Sequence, residues 1–137
     1  MSSTPPVPSV HCIMLVDDNE ADNVYHEIML RRAGFGGELV VRESAQQALD
    51  YLTQAAALLP NLILLDINMP GMNGFEFARE AAPLLQRMPT ATVVMLTSSS
   101  LPNDRERAHE MPEIAGYVTK PLTVASARAL QIGRAHV

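Results

Sequence analysis

Short apolar runs alternate with amphipathic stretches along most of the chain. The runs fall at residues 12–16, 39–41, 62–65, 91–96 and 117–118. Several contain β-branched residues, and most lack a strict apolar–polar alternation. A strand with one face in water alternates, whereas a strand covered by helices on both faces does not. The runs therefore predict strands of a buried parallel sheet. Between them the spacing turns helical. Val24, Tyr25 and Ile28 mark an apolar stripe on a helix between Asp22 and Arg32, with Gly34 as its stop. Ser44 suits the N-cap of a helix over 45–57, whose inward stripe is Ala48, Leu49 and Leu52. Gly74 opens a helix over 75–82, Pro102 or Asn103 begins a fourth, and Thr123 caps a fifth that runs to Gln131.

Strand–helix alternation of this kind predicts an α/β domain with right-handed crossovers. Residues 1–10, with Pro5, Pro6 and Pro8, read as a flexible lead-in, and 11–131 form the domain. Residues 132–137 break the last helical pattern, and Gly133 is a poor interior residue. That tail is either a frayed terminus or read-through, since it back-translates into a common short-read sequencing adapter. A fifth helix shortened there would leave part of the sheet under-covered and the domain less stable, and leaves open whether an output domain follows.

Composition narrows the class. The 137 residues suit one domain, and 47% apolar with 18% charged residues can bury a proper core. A net charge of −5 disfavours a direct grip on nucleic-acid phosphates. The lone cysteine, Cys12, excludes an internal disulfide and a cysteine-based zinc site, and fits a reducing compartment. No apolar run approaches the roughly 20 residues of a membrane span, and residues 1–9 lack the regions of a secretory signal. A soluble cytoplasmic protein with no membrane contact is expected. The methionines, Met14, Met29, Met88 and Met95 among them, read as core filling. His26 and His109 read as helix-surface residues, and Arg105, Glu106, Arg107 and Glu110 as a solvated helix face.

In open parallel sheets the working site lies beyond the carboxyl ends of the strands. Asp17 and Asp18 follow the first strand, and Asp66 the third. Thr97 and three serines follow the fourth, and Thr119, Lys120 and Pro121 the fifth; the second offers nothing comparable. Three carboxylates converging on one rim would raise one another's pKa unless a cation joined them. A hard divalent ion, Mg²⁺ or Mn²⁺, matches such oxygen ligands. One carboxylate could then attack phosphorus, while an ammonium and a hydroxyl neutralise the phosphoryl oxygens. Lys120, the only lysine among ten basic residues, and Thr97 supply those groups.

The ordered set "LVDDNE", "LILLDINMPGMNG", "VVMLTSSS" and "GYVTKP" resembles the receiver domain of two-component response regulators, over about residues 12–122. The resemblance implies a flavodoxin-like, doubly wound, five-stranded parallel sheet in the order 2-1-3-4-5. It implies Asp66 as phosphoacceptor, Asp18 as a direct metal carboxylate, and Asp17 as its partner through water. The backbone carbonyl of Asn68 would complete the metal site. Thr97 and Lys120 would engage the phosphoryl group, and Ser98 would leave its route open. Tyr117 matches the switch aromatic that turns inward upon phosphorylation, and Pro121 the residue joined by a cis bond. The donor implied is a sensor histidine kinase or a histidine phosphotransfer protein. The face of the fourth helix, fifth strand and fifth helix would meet a downstream protein or a second copy. The product is a signal, so the class implied is a switch and not an enzyme. An alternative is a Mg²⁺-dependent phosphohydrolase with an aspartyl nucleophile, but such enzymes usually carry a second acid where this chain has Asn68. An unphosphorylated adaptor of the same fold is a third reading.

Overall fold

Five parallel strands form one sheet in the order 2-1-3-4-5. They are β1 (Cys12–Val16), β2 (Glu38–Arg42), β3 (Leu62–Leu65), β4 (Thr92–Thr97) and β5 (Gly116–Thr119). The crossovers carry α1 (Glu20–Arg32), α2 (Ala45–Thr53), α3 (Gly74–Leu85) and α4 (Pro102–Glu110), and α5 (Val124–Gln131) follows the last strand. This is the flavodoxin-like, doubly wound architecture that the resemblance implied. The computed structural model describes residues 10–54, 58–87, 91–99 and 101–131. Most of the lead-in, Met88, residues 55–57 and the 132–137 tail lie outside them, and α2 ends at Thr53, short of the predicted 57, with Gln54 already extended.

The apolar runs serve two cores at once. Along β1, Ile13 and Leu15 point to a cluster with Met29, Leu30 and Leu130 of α1 and α5. Met14 and Val16 point to the opposite cluster, with Ala48, Phe77 and Ala108 of α2, α3 and α4. Period-2 alternation of direction is therefore present, but both directions are dry, which is why the sequence shows no polar face. Met14, Met29 and Met95 are buried, as core filling requires.

The capping chemistry follows the sequence closely. Ser44 Oγ accepts the Gln47 N–H at 3.1 Å, and Thr123 Oγ1 accepts the Ser126 N–H at 3.0 Å. Helix α3 continues past the predicted residue 82 to Leu85, through Pro83. Pro83 lies in the last turns, where the distortion it causes affects few remaining bonds.

Helix α1 corrects two expectations. Val24, Tyr25 and Ile28 are its exposed side, at 55%, 43% and 43% accessibility, whereas Asn23, His26, Met29 and Leu30 face inward. His26, expected on the surface, is buried. The start of α1 stands over the carboxyl edge of the sheet, so its inward residues there meet polar backbone and charges, not apolar strands. Asn23 Nδ2 accordingly donates to the Asp17 carbonyl at 2.9 Å.

Candidate functional site

Asp17 and Asp66 are carried to the same rim by adjacent strands. Val16 and Leu65 are register partners across β1 and β3, and the Asp66 N–H donates to the Val16 carbonyl at 2.9 Å. Asp17 continues the β1–β2 ladder by donating to the Arg42 carbonyl at 3.1 Å. Its Oδ1 accepts the Asn19 N–H at 2.9 Å, and Asn19 in turn caps α1 by accepting from Asp22 N–H. Asp18, between them, projects into solvent. Asp17 and Asp66 are buried.

The loop after Asp66 folds tightly against it. Gly71 takes a positive φ of 78°, which a glycine adopts without strain. Asn73 and Glu76 then form a reciprocal capping box at the start of α3. Gly74 donates to the Ile67 carbonyl at 2.9 Å, so close to the strand end that a Cβ there would collide with the Asp66 carbonyl. The sequence marks Gly74 as a helix start but not as this close approach. Asn68 lies exposed in the same loop.

Carboxylate oxygens of Asp17, Asp18 and Asp66 all lie within 4.8 Å of one another. Lys120 is the counter-charge. Its Nζ donates to Asp17 Oδ2 at 2.7 Å and to Asp22 Oδ2 at 2.8 Å, and stands 3.8 Å from Asp66 Oδ2. The Lys120 N–H donates to the Thr97 carbonyl at 2.8 Å, fixing the turn, and the Lys120–Pro121 bond is cis. Burial pushes the Asp66 carboxyl above its usual range; Lys120 opposes this, Asp17 adds to it, and the Thr97 hydroxyl and Ile67 N–H pull back. Burial alone would lower the Lys120 ammonium, but its hydrogen bonds to Asp17 and Asp22 outweigh that and raise it. Beneath the cluster, burial and then Lys120 hold the His26 imidazole below its ordinary value, against Asp22 and Asp17.

Thr97, Ser99 and Tyr117 form a neutral extension of the site. Thr97 is fully buried at the end of β4, and its Oγ1 accepts the Ser99 N–H at 3.2 Å. The Ser99 carbonyl accepts the Tyr117 hydroxyl at 2.9 Å, and Ser99 Oγ donates to Asp104 Oδ2 at 2.6 Å. Tyr117 is thus buried and turned inward, with the Arg105 guanidinium 4.6 Å from its ring centroid. Arg107 stacks on Phe75 in the same way, at 4.4 Å. Arg105, Glu106, Arg107 and Glu110 are all exposed, as a solvated face requires, and the two arginines also cover these rings. Ser98 is exposed beside Thr97.

The donor set suits a hard divalent cation. It is all oxygen, holds two buried acids and an exposed one, and its nearest cation is a single ammonium. Among the described residues no helix is long and apolar enough to cross a membrane. Asp22 is the site residue that sequence reasoning missed. It stands in the first turn of α1, where an acid reads as a favourable helix-dipole partner and nothing more.

Comparison with known proteins adds to this geometry. The family described as the response regulator receiver domain matches residues 13–130. Response regulator Rcp1 of Synechocystis is 33% identical over 114 residues, covering 79% of this chain and 75% of that protein. The Mn²⁺-bound form of Rcp1 superposes with a TM-score of 0.70 at 30% identity, covering 92% of this chain and 91% of the other. A two-component response regulator from Cytophaga hutchinsonii has a TM-score of 0.82 at 30% identity, over 90% and 95% of the two chains. The phosphorylated cyanobacterial phytochrome response regulator RcpA has a TM-score of 0.72 at 30% identity, over 90% and 89%.

Proposed function

The chain belongs to the response regulator receiver domain family, and on that premise we propose that it accepts a phosphoryl group on Asp66 from a histidine kinase or a histidine phosphotransfer protein. The observation that carries this reading is the buried Asp66 carboxylate with Asp17, Asp18 and Lys120 gathered around it. Asp17, Asp18, Asp66 and the backbone carbonyl of Asn68 would hold Mg²⁺ or Mn²⁺. When bound, the ion neutralises the carboxylate cluster and the charge on a phosphoryl oxygen. The Mn²⁺-bound neighbour Rcp1 and the phosphorylated neighbour RcpA support both parts of the reading.

The chain's own groups divide the work. An Asp66 carboxylate oxygen forms the new bond to phosphorus as the donor's P–N bond breaks. The electron pair leaves on the imidazole nitrogen, which takes a proton from solvent. Lys120 pairs with one phosphoryl oxygen and the Thr97 hydroxyl donates to another. Exposed Ser98 leaves the approach open. Water later attacks the same phosphorus, the carboxylate departs, and the domain is reset.

Occupancy of the site is read at a distance through Thr97, Ser99 and Tyr117. Tyr117 lines a groove of about 550 Å³ with Arg105, Ala108, His109 and Ile114 of the α4–β5 region. A change in the Thr97–Ser99 contact alters that groove, where a downstream protein or a second copy would dock. The protein works as a switch in the cytoplasm, its output being a binding preference and not a released product.

Intact mass after incubation with Mg²⁺ and a small acyl-phosphate donor tests the reading. One added phosphoryl group, dependent on Mg²⁺ and lost in Asp66→Asn, is expected. A folded protein that gains none would refute it, and release of phosphate from many simple monoesters would point to the hydrolase instead.

A further inference from the structure

Lys120 has two strong carboxylate partners, and only one of them belongs to the cation-binding cluster. Asp17 is in the group whose oxygens converge within 4.8 Å; Asp22 is not, although its Oδ2 lies 2.8 Å from Nζ. A divalent ion drawn to Asp17 and Asp66 competes with the ammonium for those same oxygens. Asp22 then remains as the carboxylate that the ion does not claim. Its place is fixed by the first turn of α1, which Asn19 caps and Asn23 ties to the end of β1. Asn19 accepts the Asp22 N–H at 2.9 Å, and Asn23 donates to the Asp17 carbonyl at 2.9 Å.

We propose that Asp22 is a positioning residue, which retains the Lys120 ammonium at the α1 side of the cluster when a divalent cation occupies Asp17 and Asp66. Phosphoryl transfer then meets a restrained lysine, and one whose charge is already partly balanced. This rests on the reading of Asp66 as the phosphoacceptor, but the restraint itself exists whether or not transfer occurs. It gives α1 a second duty beyond packing. A helix that covers the sheet also sets where the only ammonium of the site can stand.

Because Lys120 is the chain's single lysine, labelling lysine with ¹⁵N at Nζ gives one side-chain ammonium signal. With saturating Mg²⁺, hydrogen exchange of that ammonium is expected to quicken about tenfold in Asp22→Asn and to return toward the wild-type rate in Asp22→Glu. Asparagine has the same size as aspartate at this partly exposed position, and the backbone spectrum reports whether each variant is folded. Exchange in Asp22→Asn within twofold of wild type, or equally fast in the Glu variant, would overturn the proposal. In parallel, the maximal rate of adduct formation from the acyl-phosphate donor should fall several-fold in Asp22→Asn, with little change in the donor concentration for half-saturation. Faster exchange without a lower maximal rate would also overturn it. If the wild type forms no adduct at all, the phosphoacceptor reading fails, while the ammonium exchange still decides the role of Asp22.

Discussion

Asp17, Asp22, Asp66 and Lys120 reach the rim from β1, α1, β3 and the turn after β5, and Lys120 is 103 positions from Asp17. Thr97, Ser99 and Tyr117 come from neighbouring strands and the loop between them, and the Tyr117–Ser99 contact spans only 18 positions. The first half is charged, and its members repel or attract one another strongly in a partly dry setting. The second half has no charged member, and the hydrogen bonds among its members span at most 18 positions. Charge makes the first half costly to assemble without a cation and sensitive to each member. Neutrality lets the second half change shape at little cost, which suits a relay.

The comparison predicts unequal damage. Lys120→Met leaves Asp17 and Asp66 buried without their counter-charge and should cost about 3 kcal/mol in the metal-free protein. Urea unfolding with and without Mg²⁺ measures this, and added Mg²⁺ should recover much of the loss. A small loss, or one indifferent to Mg²⁺, would break the contrast between the halves. Gly74→Ala should cost about 2 kcal/mol through the forced shift of α3 from the Asp66 carbonyl. Mg²⁺ should not restore that loss, because the damage is steric.

Tyr117→Phe removes one buried hydroxyl and leaves the Ser99 carbonyl unpaired, worth about 1 kcal/mol. Adduct formation should stay within about twofold of wild type, since the hydrogen bonds link Tyr117 to Thr97 by way of Ser99. A large fall would show that Tyr117, and not Thr97 alone among the neutral members, takes part in the chemistry. The smallest effect has the opposite sign. Because the Asp66 carboxyl is raised in the fold, the folded state holds its proton more tightly than the unfolded chain. Its contribution to stability therefore falls as pH rises from the ordinary carboxylate value through the raised one. At neutral pH ionised Asp66 is a net cost, so Asp66→Asn should raise the metal-free Tm by about 2–5 °C. With Mg²⁺ present, the wild type should overtake it.

The same contrast governs what is legible in the sequence. The strands are legible because a short, continuous apolar run between turn residues fits little besides a buried strand. The acids and the lysine are legible because charged residues stand out at strand ends. Asn23 and His26 are harder to place, because an inward face that meets a polar rim looks like a surface. A signal does exist there: Asp22, His26, Met29, Leu30 and Ala33 follow one helical stripe whose early positions turn polar. Asp22 stays hidden because an acid in a first helical turn is already accounted for by the helix dipole. Charge rightly places Arg105 and Arg107 on an exposed face, but not over Tyr117 and Phe75, rings that are distant in sequence or on another helix. Gly74 marks a helix start, but its contact with Asp66 depends on a loop path that no local pattern encodes.

The most direct measurement of the central claim is the location of the covalent group. Protein treated with Mg²⁺ and the acyl-phosphate donor would be reduced with borohydride, digested, and the altered residue found by peptide sequencing in a mass spectrometer. The account predicts reduction of the side chain at Asp66, with Asp17, Asp18 and Asp22 untouched. Modification at any of those three acids, or at His11 or His26 with Asp66 intact, would contradict it.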